Sequence, residues 1–549
     1  MDNFHEDTLH LNAVLQEVSV YQSIENGTSV FVLTLLQGGQ PVTLPPYECR
    51  RLDGFRINRI DPRFVAQDEN GNPTDRQLQA VIRQRIATEI REGRTGILVD
   101  RTGWVELPDG VHRFVSGSSI YGGKTSPPVM LAPNLPDLRF EETADSVDIK
   151  GLLHAYFRKI QRDPDIFIPI AAHTIRSLLA SLFEELGYPL HFVLYMVGAQ
   201  GVGKTTAVCD FSLPFVDDSG APAPAARALS SKAAVRDFLV DHRDMPVLLD
   251  DVCTSSSAAT RRTATEVAAY TLRFAADRSP EMRKQPSGQQ HFCRCAAGAI
   301  ITGEFPMRMP SDITRCVTVY VDHQMRGREP DDRAVSCAVM KIFTSYCAHC
   351  FDDVRAELSQ ALTTFRKVPQ DFSPRQQQHL AELSYAFQLL LDYTRKTGAI
   401  SDADHGRLLD MLHHALNRCL SINAELVEEF DRWEVTNPAR LLLEAIKEKT
   451  LPIAKNEQAY ALDPERYAGF YDKKHSLILL RLEAISAYFS EVSGRNFSTI
   501  QTGKLLRSHG LAAMGQEGHT ASAKRKGLGR FVPLDCQQLR QQAGDVPHK

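Results

Sequence analysis

The stretch His191-Phe-Val-Leu-Tyr-Met-Val197, followed by Gly198-Ala199-Gln200-Gly201-Val202-Gly203-Lys204-Thr205-Thr206, decides how the rest of the chain is read. An apolar run short enough for a buried strand leads into a glycine-rich loop, and a helix-compatible segment from Thr205 to Phe211 follows. The loop fits GxxxxGK[ST] in full and sits where a phosphate cradle must sit, between a strand and a helix. Its glycines let the backbone approach phosphate, and the helix start offers unpaired N–H groups and a positive dipole end. Residues Gly198 to Gly203 would wrap the phosphates, and Lys204 would reach the β and γ groups. Thr205 would ligate Mg²⁺, with Thr206 beside it completing the nucleotide contacts. ATP and Mg²⁺ are the expected cofactors.

A phosphoryl-transfer site also needs acid beside the cradle. Met245-Pro-Val-Leu-Leu-Asp250-Asp251 supplies it as an apolar strand ending in two carboxylates. Asp250 is expected to hold the magnesium through its water shell, and Asp251 to act as the base that orients the attacking water. The plainer alternative is an acidic pair that only caps a strand. Gly298-Ala-Ile-Ile-Thr-Gly-Glu304 reads as another buried strand with a polar end. Thr302 is its candidate contact to γ-phosphate or to water, and Glu304 is the next acid to consider should Asp251 not serve.

Asp312-Ile-Thr-Arg315 then opens the apolar run Cys316-Val-Thr-Val-Tyr-Val321. An arginine at this point is a candidate finger for a neighbouring subunit's nucleotide, against the alternative of an ordinary surface residue. Ser373-Pro374-Arg375-Gln376 carries a helix start, with Ser373 as N-cap, Pro374 at the first helical position and Gln376 closing a capping box. Arg375 in that turn is a candidate nucleotide sensor on a helical lid.

Composition sets the frame around these motifs. A chain of 549 residues is too long for one ordinary domain. With 43% hydrophobic and 24% charged residues it reads as globular, and a net charge of −4 excludes a uniformly basic nucleic-acid coat. No apolar run approaches the roughly 18 residues that span a bilayer. The acidic, polar start is unlike a secretory signal. A cytoplasmic protein without a membrane partner is expected. The 11 cysteines, an odd count, favour reduced thiols. His291, Cys293 and Cys295, and again Cys347, His349 and Cys350, are either buried thiols and ordinary histidines or structural zinc ligands, without a second CxxC at finger spacing.

The expected architecture is multidomain α/β. Residues 1–146 form a β-rich N-terminal region with one charged helix, Asp75 to Glu92. Residues 147–330 form the P-loop core, in which helices Ile149 to Lys159 and Pro169 to Leu186 precede a parallel sheet. Residues 331–464 form a helical lid and connector. Residues 465–549 form a basic, winged-helix-like domain with helices Leu477 to Val492 and Ser498 to Ser508.

Two places are candidates for nucleic acid. Arg283 and Lys284 precede the turn Pro286-Ser-Gly288, which reads as a hairpin whose basic arm would track single-stranded DNA in a channel. From Tyr471 to Val532 there are ten Lys or Arg against four Asp or Glu, a local positive excess in a net-acidic chain. Within it Lys504 and Arg507 on a helix, and Lys524, Arg525 and Lys526 on a ribbon before the strand at Arg530, are candidate duplex contacts. A protein-docking winged helix is the competing reading.

Taken in order, the P-loop, the acidic pair, the strand ending in Ile301-Thr-Gly-Glu304 and the strand opened by Ile313-Thr-Arg315 resemble a helicase-like ATPase family of phages and integrative elements, catalogued as domain of unknown function 927. Arg94-Thr-Gly-Ile-Leu-Val-Asp-Arg-Thr-Gly-Trp104 and Ser116-Gly-Ser-Ser-Ile-Tyr121 resemble that family's N-terminal part, so the likeness spans roughly residues 85 to 390. It implies kinship with the minichromosome-maintenance-like helicases of staphylococcal cassette elements. It further implies an AAA+-like core, a homo-oligomeric ring, most simply a hexamer, and a DNA helicase or translocase serving a mobile element. In AAA+ terms Thr302 is sensor 1, Arg315 the arginine finger and Arg375 sensor 2. The chain departs from the pattern at Asp251, where Glu is usual, and at Thr302, where Asn is usual. Those departures give weight to a rival, an ATP-gated oligomeric switch or scaffold in defence or regulation that does not unwind DNA.

Overall fold

The run Val193–Gly198 is apolar on both faces, and such a strand needs a layer of helices on each side. It is β1 of a central parallel sheet whose other described strands are β2 (Ala225–Arg227), β3 (Pro246–Val252), β4 (Gly298–Gly303) and β5 (Cys316–Val321), in the order β2-β3-β4-β1-β5. Leu194 lies opposite Ile300 on one side and Val317 on the other, and Leu248 lies opposite Ile300. These residues join a core cluster with Ile168, Ala171, Ala172 and Ile175 of the helix Pro164–Leu178. The helix Ala258–Asp277 packs on β1, β3 and β4. The computed structural model describes residues 10–23, 27–68, 70–99, 101–107, 110–117, 119–123, 128–132, 135, 138–141, 148–252, 258–277, 281–284, 290–307, 309–323, 329–365, 373–435, 438–493, 497–512, 522–525 and 527–543.

The chain folds as two units, Met1–Met307 with Ser311–Asn423, and Arg308–Pro310 with Ala424–Lys549. In the first, Val14–Ser23 and Ser29–Gln37 pair antiparallel, and Gly96–Val99 adds in parallel beside the former. The helix Arg76–Arg91 matches the expected charged helix. A separate antiparallel sheet, Gly103–Glu106, His112–Ser116 and Ser119–Tyr121, is sewn to the core by a buried aspartate. Asp244 accepts from the backbone N–H of Trp104 (3.0 Å) and of Ser181 (2.6 Å), and the Trp104 indole donates to the Leu178 carbonyl (2.7 Å). Gly103 sits at φ 87°, and a Cβ there would come within 2.2 Å of the Asp244 carboxylate. The helix Pro374–Lys396 is tied to Pro164–Leu178 by a fully buried ion pair, Arg176 Nε to Glu382 Oε2 at 2.8 Å. Removing one partner of such a pair strands the other charge, at a cost of about 3–5 kcal/mol.

Two helix boundaries differ from the sequence expectation. The helix expected from Pro169 to Leu186 begins at Pro164, is complete by Leu178, and is followed by a second helix, Ala180–Glu185. Pro164 takes the first helical position, where the missing N–H costs nothing, and Pro169 lies inside the helix. The helix expected from Leu477 to Val492 is a strand, Leu477–Leu480, then a helix, Leu482–Ser493. A short unbroken apolar run carries no period to separate strand from helix. Here the flanking strands Gly469–Asp472 and Gly529–Asp535 bond it on both edges.

In the second unit the sheet runs Ile453–Ala454, Gly469–Asp472, Leu477–Leu480, Gly529–Asp535, Ala523–Arg525. Leu442, Ile485, Phe489, Leu506, Val532 and Leu539 form its core. The helix Thr499–Ser508 starts on the capping box of Ser498 and Gln501, and Thr502 receives a hydrogen bond from Ser486 at 2.9 Å. Among the described residues no single helix is long and apolar enough to cross a membrane.

Candidate nucleotide site

The loop after β1 has the backbone that a phosphate cradle needs. Gly201 and Gly203 take φ 81° and 101°, where a side chain is strained, and nothing lies within 4 Å of a Cβ built on Gly201. A Cβ on Gly198 would come 2.3 Å from the Val321 carbonyl of β5, so close strand packing demands glycine there as well. The helix Lys204–Phe211 begins at the mouth of the loop. Lys204 Nζ donates to the carbonyls of Gly198 (2.7 Å) and Ala199 (2.8 Å). Val202 packs on the hydrophobic core instead of the loop interior. A cavity of about 300 Å³ is lined by Gln200, Gly201, Gly203, Lys204, Thr205 and Thr206 on one side and by Asp250, Asp251, Thr302, Gly303 and Glu304 on the other.

The acidic side of the cavity is shaped by a β-bulge. Leu249 pairs with Ile301 and Val252 with Gly303, so Asp250 and Asp251 together face the single residue Thr302. Asp251 takes φ 72°, a conformation that Asp tolerates better than most residues. Thr302 is 1% exposed. Its hydroxyl donates to Asp250 Oδ1 at 2.6 Å and accepts from the Asp251 backbone N–H at 3.1 Å. A hydroxyl has one proton to give, and in this structure it goes to Asp250. Thr205 donates to the same Asp250 oxygen at 2.7 Å. A threonine hydroxyl and a carboxylate side by side at the start of the helix are hard oxygen donors of the kind that hold Mg²⁺, and the donor set fits that ion. Burial pulls the Lys204 ammonium below the usual lysine range, opposed by the carboxylates of Glu304, Asp250 and Asp251.

Arg315 and Arg375 lie elsewhere. Cys316 pairs with Val193 and Val321 with Gly198, so Arg315, just before β5, stands at the end of the sheet opposite the cradle, roughly 20 Å away along the strand. It chelates Asp277 through Nε to Oδ1 at 2.7 Å and Nη2 to Oδ2 at 3.1 Å, and its Nη1 bonds the Ser311 carbonyl. Arg375, placed by the capping box of Ser373 and Gln376, comes within 3.7 Å of Asp277 Oδ1. Arg375 is therefore gathered with Arg315 at Asp277 and not with the Gly198–Thr205 loop. Arg273 adds a neighbouring pair with Asp312 at 2.9 and 3.0 Å. No motif marks Asp277, and only the fold reveals that it joins the two arginines.

Arg283 and Lys284 lie on the strand Glu281–Lys284, which pairs antiparallel with Gln290–Cys293 as a hairpin. Its turn, residues 285–289, lies outside the described residues. On the helix Thr499–Ser508 Lys504 is exposed and Arg507 half-buried. Lys524 is exposed on the strand Ala523–Arg525, whereas Arg525 Nη2 reaches Asp472 Oδ2 at 3.1 Å. Lys526 lies outside the described residues. Cys295 and Cys347 are buried, and burial pushes the Cys347 thiol up. Among the described residues the one cluster of three or more His, Cys, Asp or Glu side chains close enough to share an ion is Glu329, Asp331 and Asp332. It grips the buried Lys159 ammonium at 2.6, 2.7 and 2.9 Å.

No family model matches the chain, and no curated protein matches it in sequence. Among solved structures it is similar to one described as "SCCmec type IV Cch - active helicase", at 11% identity and TM-score 0.51, over 97% of this chain and 95% of that one. The likeness shows a shared fold across nearly the whole length of both chains. Weaker matches are the NrS-1 C terminal region, at 9% identity and TM-score 0.29 over 94% and 96% of the two chains, and JCV Helicase with a bound acetamide compound, at 11% identity and TM-score 0.21 over 51% and 73%.

Proposed function

We propose that this chain is an ATP-hydrolysing, AAA+-like motor that acts on DNA as a ring, most simply a hexamer, and serves as the replicative helicase or translocase of a mobile genetic element. One observation carries the reading. The glycine-rich loop with Lys204, Thr205 and Asp250 stands at one end of the sheet, and Arg315 and Arg375, the arginines that would finish the chemistry of a phosphate cradle, stand at the other end. Within one chain they are too far apart to meet. A head-to-tail ring brings the arginine end of each subunit to the cradle of the next, and closed heterologous contacts of this kind make rings. The full-length likeness to a chain described as an active helicase supports the same reading.

In this mechanism Lys204 exchanges its loop carbonyls for the phosphates of ATP, and the Gly198–Gly203 backbone orients them. Thr205 and Asp250 would hold Mg²⁺, which supplies positive charge to the triphosphate. Arg315 neutralises charge that develops on the γ-phosphoryl group of the neighbour's ATP, a contribution worth about 10³–10⁵ in rate in other P-loop enzymes. Arg283 and Lys284 would track single-stranded DNA, while Lys504, Arg507, Lys524, Arg525 and Lys526 would engage the duplex.

The test is ATP turnover with and without single-stranded DNA, together with displacement of a labelled strand. A motor is stimulated by DNA and separates the strands. Turnover that ignores DNA, with no displacement, would instead favour the switch or scaffold. That second reading draws support from Asp251, which sits on a bulge at positive φ, and from Thr302, whose hydroxyl is already spent on Asp250.

A further inference from the structure

An arginine that serves a neighbouring subunit must be held in one pose, and a long flexible side chain loses entropy when it is held. Here a reciprocal pair of forks does the holding. The helix Ala258–Asp277 presents Arg273 and Asp277 four residues apart, on one face. The segment that leads into β5 presents Asp312 and Arg315. The pairs cross in charge. Arg273 chelates Asp312 at 2.9 and 3.0 Å, and Arg315 chelates Asp277 at 2.7 and 3.1 Å. A bidentate guanidinium–carboxylate pair fixes the plane of both groups. Two such pairs of opposite polarity resist both rotation and slippage of Arg315 against the helix.

Both sides of this clamp are anchored in the backbone. The His191 ring bonds the Ala276 carbonyl at 2.9 Å, which ties the end of the helix to the entry of β1. The Arg315 N–H donates to the Asp312 carbonyl at 3.0 Å, and the Arg315 carbonyl accepts from the Val193 N–H at 3.0 Å. Donors are left over. Among the described residues Arg315 uses three of its five N–H groups, two on Asp277 and one on the Ser311 carbonyl. Positive charge is left over too. With Arg375 standing 3.7 Å from Asp277, three guanidiniums meet two carboxylates. An arginine held in this way keeps both hydrogen-bond donors and net charge for an incoming anion.

We propose that Asp277 is a positioning residue for the arginine that acts across the subunit contact. It holds Arg315, with Arg375 beside it, in the pose that meets the γ-phosphoryl group of ATP on the neighbouring subunit. The assignment rests on the proposed ring ATPase reading. In this role Asp277 does not itself contact the nucleotide. It acts through Arg315, whose charge is then in place before charge develops on the phosphoryl oxygens. Two consequences separate the role from a structural one. Asp277 is silent where Arg315 is absent, and its loss is repaired by a partner that lacks only the cradle lysine.

The experiment compares Asp277→Ala, Asp277→Asn, Arg315→Ala and the double variant Asp277→Ala with Arg315→Ala, all in the full-length chain. Turnover and affinity for a fluorescent non-hydrolysable ATP analogue are read. Asp277→Ala is expected to bind the analogue within about threefold of wild type and to lose about 10²-fold in turnover, the effect of about 1 Å of misplacement. Mixing it with Lys204→Ala protein restores part of the turnover, and mixing it with Arg315→Ala restores none. The double variant falls no further than Arg315→Ala alone, because residues that act through one another are not additive. Asp277→Asn keeps the shape of the side chain without its charge and is expected to follow Asp277→Ala. It carries the test if Asp277→Ala fails to bind the analogue. Turnover near that of wild type in the Asp277 variants overturns the assignment, and turnover above it does so by making Asp277 a latch. An equal further loss in the double variant, or loss of analogue binding in both Asp277 variants, overturns it by revealing a structural role. No recovery with Lys204→Ala, in mixed rings confirmed by native mass, overturns it as well. Near-normal turnover in Arg315→Ala removes the ring reading and the assignment with it. A normal Asp277 variant beside an inactive Arg315→Ala removes the assignment alone.

Discussion

The two ends of the central sheet treat their cations in opposite ways. At the cradle end Lys204 bonds two carbonyls of its own loop, with the carboxylates of Asp250, Asp251 and Glu304 lining the same cavity. At the other end two guanidiniums share one carboxylate, Arg315 chelating Asp277 and Arg375 standing 3.7 Å from it. The first end has more acid than base and a backbone shaped for phosphate. The second has more base than acid and no glycine loop. In the proposed ring these two ends would face one another across each subunit contact. Electrostatic complementarity of this kind sets register between partners more than it adds affinity.

The comparison breaks most visibly at Arg315. Arg315→Ala is expected to lower turnover by about 10³-fold or more, while binding of the ATP analogue stays close to wild type. Mixing that variant with Lys204→Ala protein should restore part of the activity, since one interface in a mixed ring joins an intact cradle to an intact arginine. Turnover measured across mixing ratios, with mixed rings verified by native mass, checks this. No recovery in confirmed mixed rings would mean that the two ends do not meet.

Arg375 sharpens the same comparison with a smaller effect, about 10²-fold in Arg375→Ala. A lid sensor that serves its own nucleotide would recover activity when Arg375→Ala is mixed with Arg315→Ala, because each variant supplies what the other lacks. The shared contact with Asp277 predicts the reverse. Arg375→Ala should recover with Lys204→Ala and fail to recover with Arg315→Ala. At the cradle end the expected effect is smaller again. Thr302→Val removes the hydroxyl that bonds Asp250 and the Asp251 N–H, and one lost hydrogen bond of this kind costs about 1–3 kcal/mol. A fall of roughly tenfold in turnover is expected. If Thr302 met the γ-phosphate directly, as its place in the sequence suggested, the loss would approach that of Lys204→Ala.

What could be read in advance follows the range over which each feature is encoded. The cradle is local, glycines and Lys204 within one loop, and its spacing alone announces it. The Ser373 capping box and the helix Arg76–Arg91 are local as well. The bulge is not, because whether Asp250 and Asp251 face one residue or two depends on how β3 registers against β4. Asp277 is less legible still, since its two arginines come from Arg315 and Arg375, brought beside it only by the fold. Leu477–Leu480 failed for another reason. Its apolar run is compatible with either period, and only the two flanking strands decide.

The smallest effect is expected in the C-terminal unit, where paired and presented cations can be compared within one ribbon. Lys524 is exposed, with its ammonium available to a phosphate. Arg525, next to it, already donates to Asp472 at 3.1 Å, with Glu457 at 3.9 Å. Each phosphate neutralised by a free cation releases a counterion and adds about 0.9 to the slope of log affinity against log salt. A cation already matched by a carboxylate releases little net charge on binding DNA. Lys524→Ala should therefore flatten the slope for duplex binding by about 0.9, and Arg525→Ala by clearly less. Removing Asp472 instead should free Arg525, so Asp472→Asn is expected to steepen the slope. Titrations of a short duplex across salt, for the wild type and the three variants, measure this directly. Equal slopes in all four would take the ribbon off the DNA and leave protein docking as the role of this unit. Equal losses for Lys524 and Arg525 would mean that phosphate displaces Asp472, so that pairing within the chain does not withhold a cation from a stronger anion.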